Sequence, residues 1–297
     1  MRQIPEMHTI ENPNDRSFLY RFYIYQNERF PILAHGVMIA AFSFSAISYS
    51  MICRGASGFV DLKTYLVGIF TTITLFYLLR VFDEFKDAED DALYRKYLPV
   101  PRGLISFNEL KISAIVVIIL QLIVNALIFP KMLILYFVAI GYMLLMGKEF
   151  FVASWLRKHQ VAYVLSHMLI IPLVDTYASG LDWLLARTSA PFGLVFFFGV
   201  SYMNGVVLEI GRKIRKPDLE EEGVLTYSAL YGVNRATIYW IVMLFITLIL
   251  SIAASAYAGY GIFAYEVLIG LFIVCAFQVF GASRFKYASF CQKVYVP

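Results

Sequence analysis

The sequence predicts an all-α protein, a polytopic bundle of transmembrane helices. Three observations carry this. Of 297 residues, 60% are hydrophobic and 15% charged, against about 45–50% apolar and about 25% charged in a soluble domain. Eight apolar segments approach or reach the roughly 20 residues that a spanning helix needs: 30–53, 62–82, 112–129, 132–146, 161–178, 192–208, 236–258 and 262–281. With the N-terminus in the cytoplasm, all but four of the 25 Lys and Arg residues fall on the inner side, the exceptions being Arg54, Lys63, Lys131 and Arg187. That bias orients a membrane protein, here in an inner or plasma membrane.

Residues 1–29 form an N-terminal tail. In it, Phe18, Phe22 and Tyr25 stand at helical spacing with Arg16 and Arg21 between them, the pattern of an amphipathic helix lying in the interface. The first thirty residues lack the charged, apolar and small-residue regions of a secretory signal. Spans three and four meet at a tight turn around Pro130, which breaks the helix. Residues 30–281 make one transmembrane domain, and 282–297 a tail too polar to cross. Cys53, Cys275 and Cys291 are far apart and read as small apolar residues, not as a disulfide or metal framework. The net charge of +4 points to no nucleic-acid partner. Aromatics make up 17% of the chain, and belts at both interfaces account for many of them.

Span two runs directly into RVFDEFKDAEDDALY, residues 80–94. At about 100° per residue, Asp83, Glu84, Asp87, Asp90 and Asp91 share an arc of about 120°, while Lys86 and Glu89 point elsewhere. Acids on one face repel, and a helix C-terminus disfavours them further. A divalent cation reverses both penalties. Magnesium takes oxygen ligands and bridges one or two carboxylates to substrate phosphates. The basic, turn-rich YRKYLPVPRGLIS follows at once and supplies groups for the anion.

These residues resemble the UbiA superfamily of intramembrane prenyltransferases. That family carries N/D-D-x-x-D-x-x-x-D at the inner end of its second helix, and DEFKDAEDD puts Asp83, Glu84, Asp87 and Asp91 in that register. A family segment like R-P-L-P-S-G-x-I-S follows; LPVPRGLIS keeps Pro99, Pro101, Gly103, Ile105 and Ser106. The resemblance implies a UbiA-like helical fold, Mg2+, a prenyl diphosphate donor, a lipophilic acceptor and a site at the cytoplasmic face, with the lipid bilayer as surroundings. Asp83, Asp87 and Asp91 become catalytic metal ligands with Glu84, and Arg80, Arg95 and Arg102 contacts to the substrate. Glu84 replaces the usual second Asp, and Leu98 stands where an Arg is common. The family has nine spans against eight here, so the chain either lacks the ninth helix or stops short of it.

In the family a second acidic pair, D-x-x-x-D, follows span six. Here Glu209-x-x-x-Lys213 stands in its place, and Glu209, Arg212 and Lys213 share an arc of about 100°. One reading is a surface Glu–Lys pair, worth about 0.2–0.5 kcal/mol. The other is a site in which Lys213 and Arg212, with Arg215 or Lys216, contact the diphosphate directly and Glu209 orients a cation. Asp218, Glu220, Glu221 and Glu222 offer further carboxylates.

Ionisable residues inside spans mark functional sites by default. His167 and Asp175 lie about 12 Å apart along span five; His167 reads as an acceptor-binding group, a base or a packing histidine. Asn204 reads as a pocket residue below Glu209, and His35 as a weaker candidate. Lys148 and Glu149 read as an ion pair at the mouth of the site. The activity expected is prenyl transfer to an electron-rich acceptor. A terpene cyclase of the same fold is an alternative. A transporter with an acidic mouth is a second, though only Asp175 and Glu266 lie deep in spans. CDP-alcohol phosphotransferases need D-G-x-x-A-R, which DEFKDAEDDALYR lacks. Oligomeric state is not legible.

Overall fold

The computed structural model describes residues 16–221 and 223–284. The expectations for residues 1–15, Glu222 and 285–297, Cys291 among them, lie outside this range. The described chain is helical throughout. In order come α1 (Phe18–Arg29), α2 (Ile32–Cys53), α3 (Leu62–Lys86), α4 (Ala88–Tyr94), α5 (Phe107–Ile128) and α6 (Leu133–Gly147). Then follow α7 (Ala153–Lys158), α8 (Gln160–Met168), α9 (Ile170–Trp183), α10 (Leu194–Arg212), α11 (Tyr227–Tyr231), α12 (Val233–Tyr257) and α13 (Ile262–Arg284). All eight apolar segments fall on these helices. Among the described residues seven units are long and apolar enough to cross a membrane, α8 and α9 counting as one, and the apolar part of α13 covers Ile262–Gln278. This is an integral membrane protein.

Helices α2, α3, α6 and α9 enclose the centre, where Ile47, Leu75, Leu78, Met143, Val174 and Tyr177 pack with no exposure. Close approach needs a glycine on α3: a Cβ on Gly68 falls 2.7 Å from Leu181 Cδ1. A polar network crosses this interior, as hydrocarbon surroundings favour. Gln121 and Asn125 of α5 donate to Thr74 and Thr71 of α3, while Tyr136 and Tyr177 donate back to Gln121 and Asn125 at 2.8 and 2.6 Å. At the end opposite the acidic run, Asp182 accepts from Ser50 at 2.8 Å and Arg54 at 2.6 Å.

Two local features depart from the sequence expectations, and a third adds to them. Span five is two helices, because Pro172 has no N–H for the Met168 carbonyl and the chain turns at Leu169. The acidic run is not one helix either. α3 ends at Lys86, Asp87 takes φ −91° and ψ 8°, and α4 restarts. Glu89, Asp90 and Asp91 therefore sit in a first helical turn, where the dipole favours anions. Finally, α1 is docked on the protein. Tyr25 is fully enclosed among Phe30, Ile39, Tyr77, Val81, Ile105 and Leu110, and Arg21–Glu109, Glu28–Arg102 and Arg29–Glu84 ion pairs hold the helix.

Candidate active site

The kink at Asp87 divides the acids between two surroundings. On one side, the Glu84 side chain is only 1% exposed, and its Oε1 accepts Arg29 Nε at 2.6 Å and Arg80 Nη2 at 2.9 Å. Asp91 is buried too, with Arg95 Nε at 2.9 Å. Burial pushes the Asp91 carboxyl above the usual carboxylate range, and Arg95 pulls it back in part. Glu84 and Asp91 line a small cavity of about 60 Å³ with Ala88, Ala92, Val100, Pro101 and Phe107.

On the other side, Asp83 is 37% exposed and lies 3.6 Å from Lys86 Nζ and 3.9 Å from Arg80. Lys86 donates to the Tyr163 hydroxyl at 2.7 Å. Lys213 Nζ stands 5.8 Å from the centre of the same ring and 2.9 Å from Glu209 Oε1. Arg212 also pairs with Glu209, which is 3% exposed. The order Asp83, Lys86, Tyr163, Lys213, Glu209, Arg212 thus runs unbroken across the ends of α3, α8 and α10. His167 stacks on Tyr163 at 3.9 Å. Asp87 makes no ion pair among the described residues; burial pushes its carboxyl up, and Lys86 offsets part of this.

Several expected site residues sit elsewhere. Lys86, set apart by the helical arc, belongs to the cluster, because it stands only about 60° round the helix from Asp83 and its side chain reaches both Asp83 and Tyr163. Asn204 is exposed on α10, about 140° round the helix from Glu209. Arg102 ties the loop to Glu28 at 2.7 Å and to the Tyr97 carbonyl, not to the acids. Arg215 pairs with Glu221 at 3.1 Å. Neither Lys148 nor Glu149 makes an ion pair among the described residues. Glu149, Phe150 and Phe151 instead take φ of 46°, 52° and 60°, a left-handed turn that presents Phe150 edge-on to His167 at 5.8 Å. Asp175 is enclosed and accepts from Ser201 of α10. His35 packs on Phe30.

The five carboxylates expected to ligate metal, Asp83, Glu84, Asp87, Asp91 and Glu209, are not gathered into one ligand set. Among the described residues no three His, Cys, Asp or Glu side chains converge as a metal site. Glu84, Asp91 and Glu209 are each buried against one or two basic side chains, which takes up their charge. Asp83 and Asp87 are different. They are hard oxygen donors one turn apart and partly exposed, and one or two carboxylates suffice for magnesium when phosphate oxygens and waters complete the shell. The donor chemistry fits one such ion there and does not fit a second at Glu209.

Sequence reasoning missed Lys86, Tyr163 and Arg29. Tyr163 precedes His167 by one helical turn, and this i,i+4 aromatic spacing was the available signal.

No protein-family model and no curated protein sequence matches the chain. Its structure, however, superposes on a solved digeranylgeranylglyceryl phosphate synthase, a protein of membranes, with a TM-score of 0.59 over 93% of this chain and 92% of that one, at 17% identity. The fold is UbiA-like. In this bundle the ends of α3 and α10 face each other across α8, which is how residues 126 positions apart in sequence come to share one cluster.

Proposed function

We propose that this chain is a divergent UbiA-superfamily prenyltransferase that uses magnesium to move an isoprenoid from a prenyl diphosphate to a lipophilic, electron-rich acceptor. The observation that supports it best is the charge relay from Asp83 to Arg212. It joins carboxylates suited to one cation and fixed cations suited to a diphosphate at the end of an apolar bundle. Asp83 and Asp87 hold the ion, which when bound neutralises the leaving diphosphate. Lys213 and Arg212, anchored by Glu209, present N–H donors to the diphosphate oxygens, where preset cations stabilise growing charge. Lys86, fixed between Asp83 and Tyr163, adds a third. The prenyl chain lies among the helices, screened from water, and the Lys/Arg bias supports a site at the cytoplasmic face. Arg80 acts behind the site by holding Glu84, and Arg95 by holding Asp91.

The test is diphosphate release from prenyl diphosphates by the purified protein in lipid nanodiscs, with and without magnesium. Asp87→Ala is expected to lower the rate by at least about a hundredfold. Absence of release at any chain length from well-folded protein refutes the reading. Release that yields a cyclised hydrocarbon with no acceptor present selects the cyclase instead.

A further inference from the structure

His167 is a buried titratable group, 4% exposed, to which the chemistry above gives no role. Its Nδ1 lies 2.8 Å from the backbone carbonyl oxygen of Tyr163 and 3.3 Å from the Ser166 hydroxyl. A carbonyl oxygen only accepts, so Nδ1 carries the hydrogen. In a neutral imidazole the other nitrogen then holds a lone pair. That nitrogen, Nε2, is buried and has no hydrogen-bond partner among the described residues. Buried polar atoms are seldom left so, and each exception needs an explanation.

The ring itself is held firmly. Tyr163 stacks on one face at 3.9 Å, with planes 22° apart, and Phe150 closes an edge at 88°. The Tyr163 ring that covers it also takes the Lys86 hydrogen bond on its hydroxyl at 2.7 Å, so the imidazole sits beside the proposed diphosphate cluster. A fixed tautomer, a locked ring and a lone pair facing no protein donor describe a base waiting for an O–H.

We propose that His167 Nε2 accepts the hydroxyl proton of the acceptor, and that the new bond forms at that oxygen. This rests on the prenyl-transfer reading. The acceptor oxygen bonds to C1 of the prenyl group. The bond from C1 to the diphosphate oxygen breaks, and its electron pair leaves with the diphosphate. The hydroxyl proton passes to Nε2 and then to water at the helix ends. The products are an ether, diphosphate and a proton. Tyr163 and Phe150 are positioning residues.

The experiment uses the full chain in nanodiscs with magnesium, a prenyl diphosphate, and two probes: a long-chain primary alcohol and its methyl ether. His167→Asn keeps a donor at the Nδ1 position and lacks Nε2. It is expected to bind an inert prenyl thiodiphosphate within about twofold of wild type and to form the ether at least about a hundredfold more slowly. Added imidazoles are expected to restore turnover in order of their basicity, which a packing defect does not mimic. A second reading needs no variant. The chain has four histidines, so nitrogen-15 spectra are simple. The unprotonated Nε2 signal is expected to move on adding the alcohol but not the methyl ether. Wild-type ether formation by His167→Asn, or an Nε2 signal unmoved by the alcohol, overturns the inference. Donor consumption without any ether product overturns it and leaves donor processing standing. No donor consumption at all overturns both.

Discussion

Glu84→Gln separates a structural tie from a metal ligand. The register of the acidic run makes Glu84 a ligand; the structure buries it between Arg29 and Arg80. At the observed separations of 2.6 and 2.9 Å, an effective dielectric of about 20 gives roughly 6 kcal/mol of attraction for each pair. Desolvation offsets much of this, and removing one partner of a buried pair leaves a net loss of about 3–5 kcal/mol. The amide oxygen of Gln still accepts one N–H, which puts the expected loss near 3 kcal/mol. Adding Arg29→Met to the Gln variant is expected to cost little more, with a coupling of about 2 kcal/mol across the cycle. The assay is an unfolding titration in mixed micelles, beside calorimetric binding of magnesium with an inert prenyl diphosphate analogue. The expected result is lower stability with magnesium-dependent binding retained in the folded fraction. Unchanged stability together with lost magnesium-dependent binding refutes the tie and restores Glu84 as a ligand.

Three further outcomes are expected. Asp87 has a raised pKa, so without metal its ionisation opposes folding. The stability it contributes is present below the ordinary carboxylate pKa and is lost as pH rises through the raised value. Stability of metal-free protein should fall across that window, Asp87→Asn should flatten the fall, and magnesium affinity should rise over the same range; a flat wild-type profile contradicts this. Lys213→Ala removes a fixed cation and leaves Glu209 with Arg212 alone, so affinity for the inert analogue should drop about tenfold to a hundredfold. An unchanged affinity removes Lys213 from the diphosphate site. Gly68→Val should destabilise by about 1–3 kcal/mol through the clash with Leu181, whereas Gly141→Ala, which meets nothing within 4 Å, should be neutral or stabilising in the same unfolding titration.

The spans were legible because hydrocarbon surroundings leave a helix no alternative. Runs of about 20 apolar residues must pair their backbone internally, and each such run lands on a helix. The ends were less legible. The apolar parts of spans two and six stop near 82 and 208; α3 and α10 do continue, to Lys86 and Arg212, but the acidic run read as one helix to Asp91 breaks at Asp87. Helix formation depends on backbone bonds and local propensity, and Glu, Lys and Arg are good helix formers. The break in span five was marked by Pro172, but the α3–α4 kink at Asp87 carries no Pro or Gly.

The same distinction explains which half of the site could be read. Helical angles are local, so they placed Glu209, Arg212 and Lys213 on one face, and the ion pairs form there. For the acidic run the angles grouped five carboxylates but held no information about what each would meet. Arg29 lies 55 residues before Glu84, and Tyr163 lies 77 after Lys86. Such partners are chosen by tertiary packing. The outcome follows from electrostatics at a membrane end: a carboxylate buried there is stable only beside a cation. Glu84, Asp91 and Glu209 each acquired one, while the more exposed Asp83 and the unpaired Asp87 kept the capacity to bind something else. An acidic motif therefore divides by burial into carboxylates tied to arginine and carboxylates left without such a tie, and burial is the one property of Glu84 and Asp87 that their spacing does not contain.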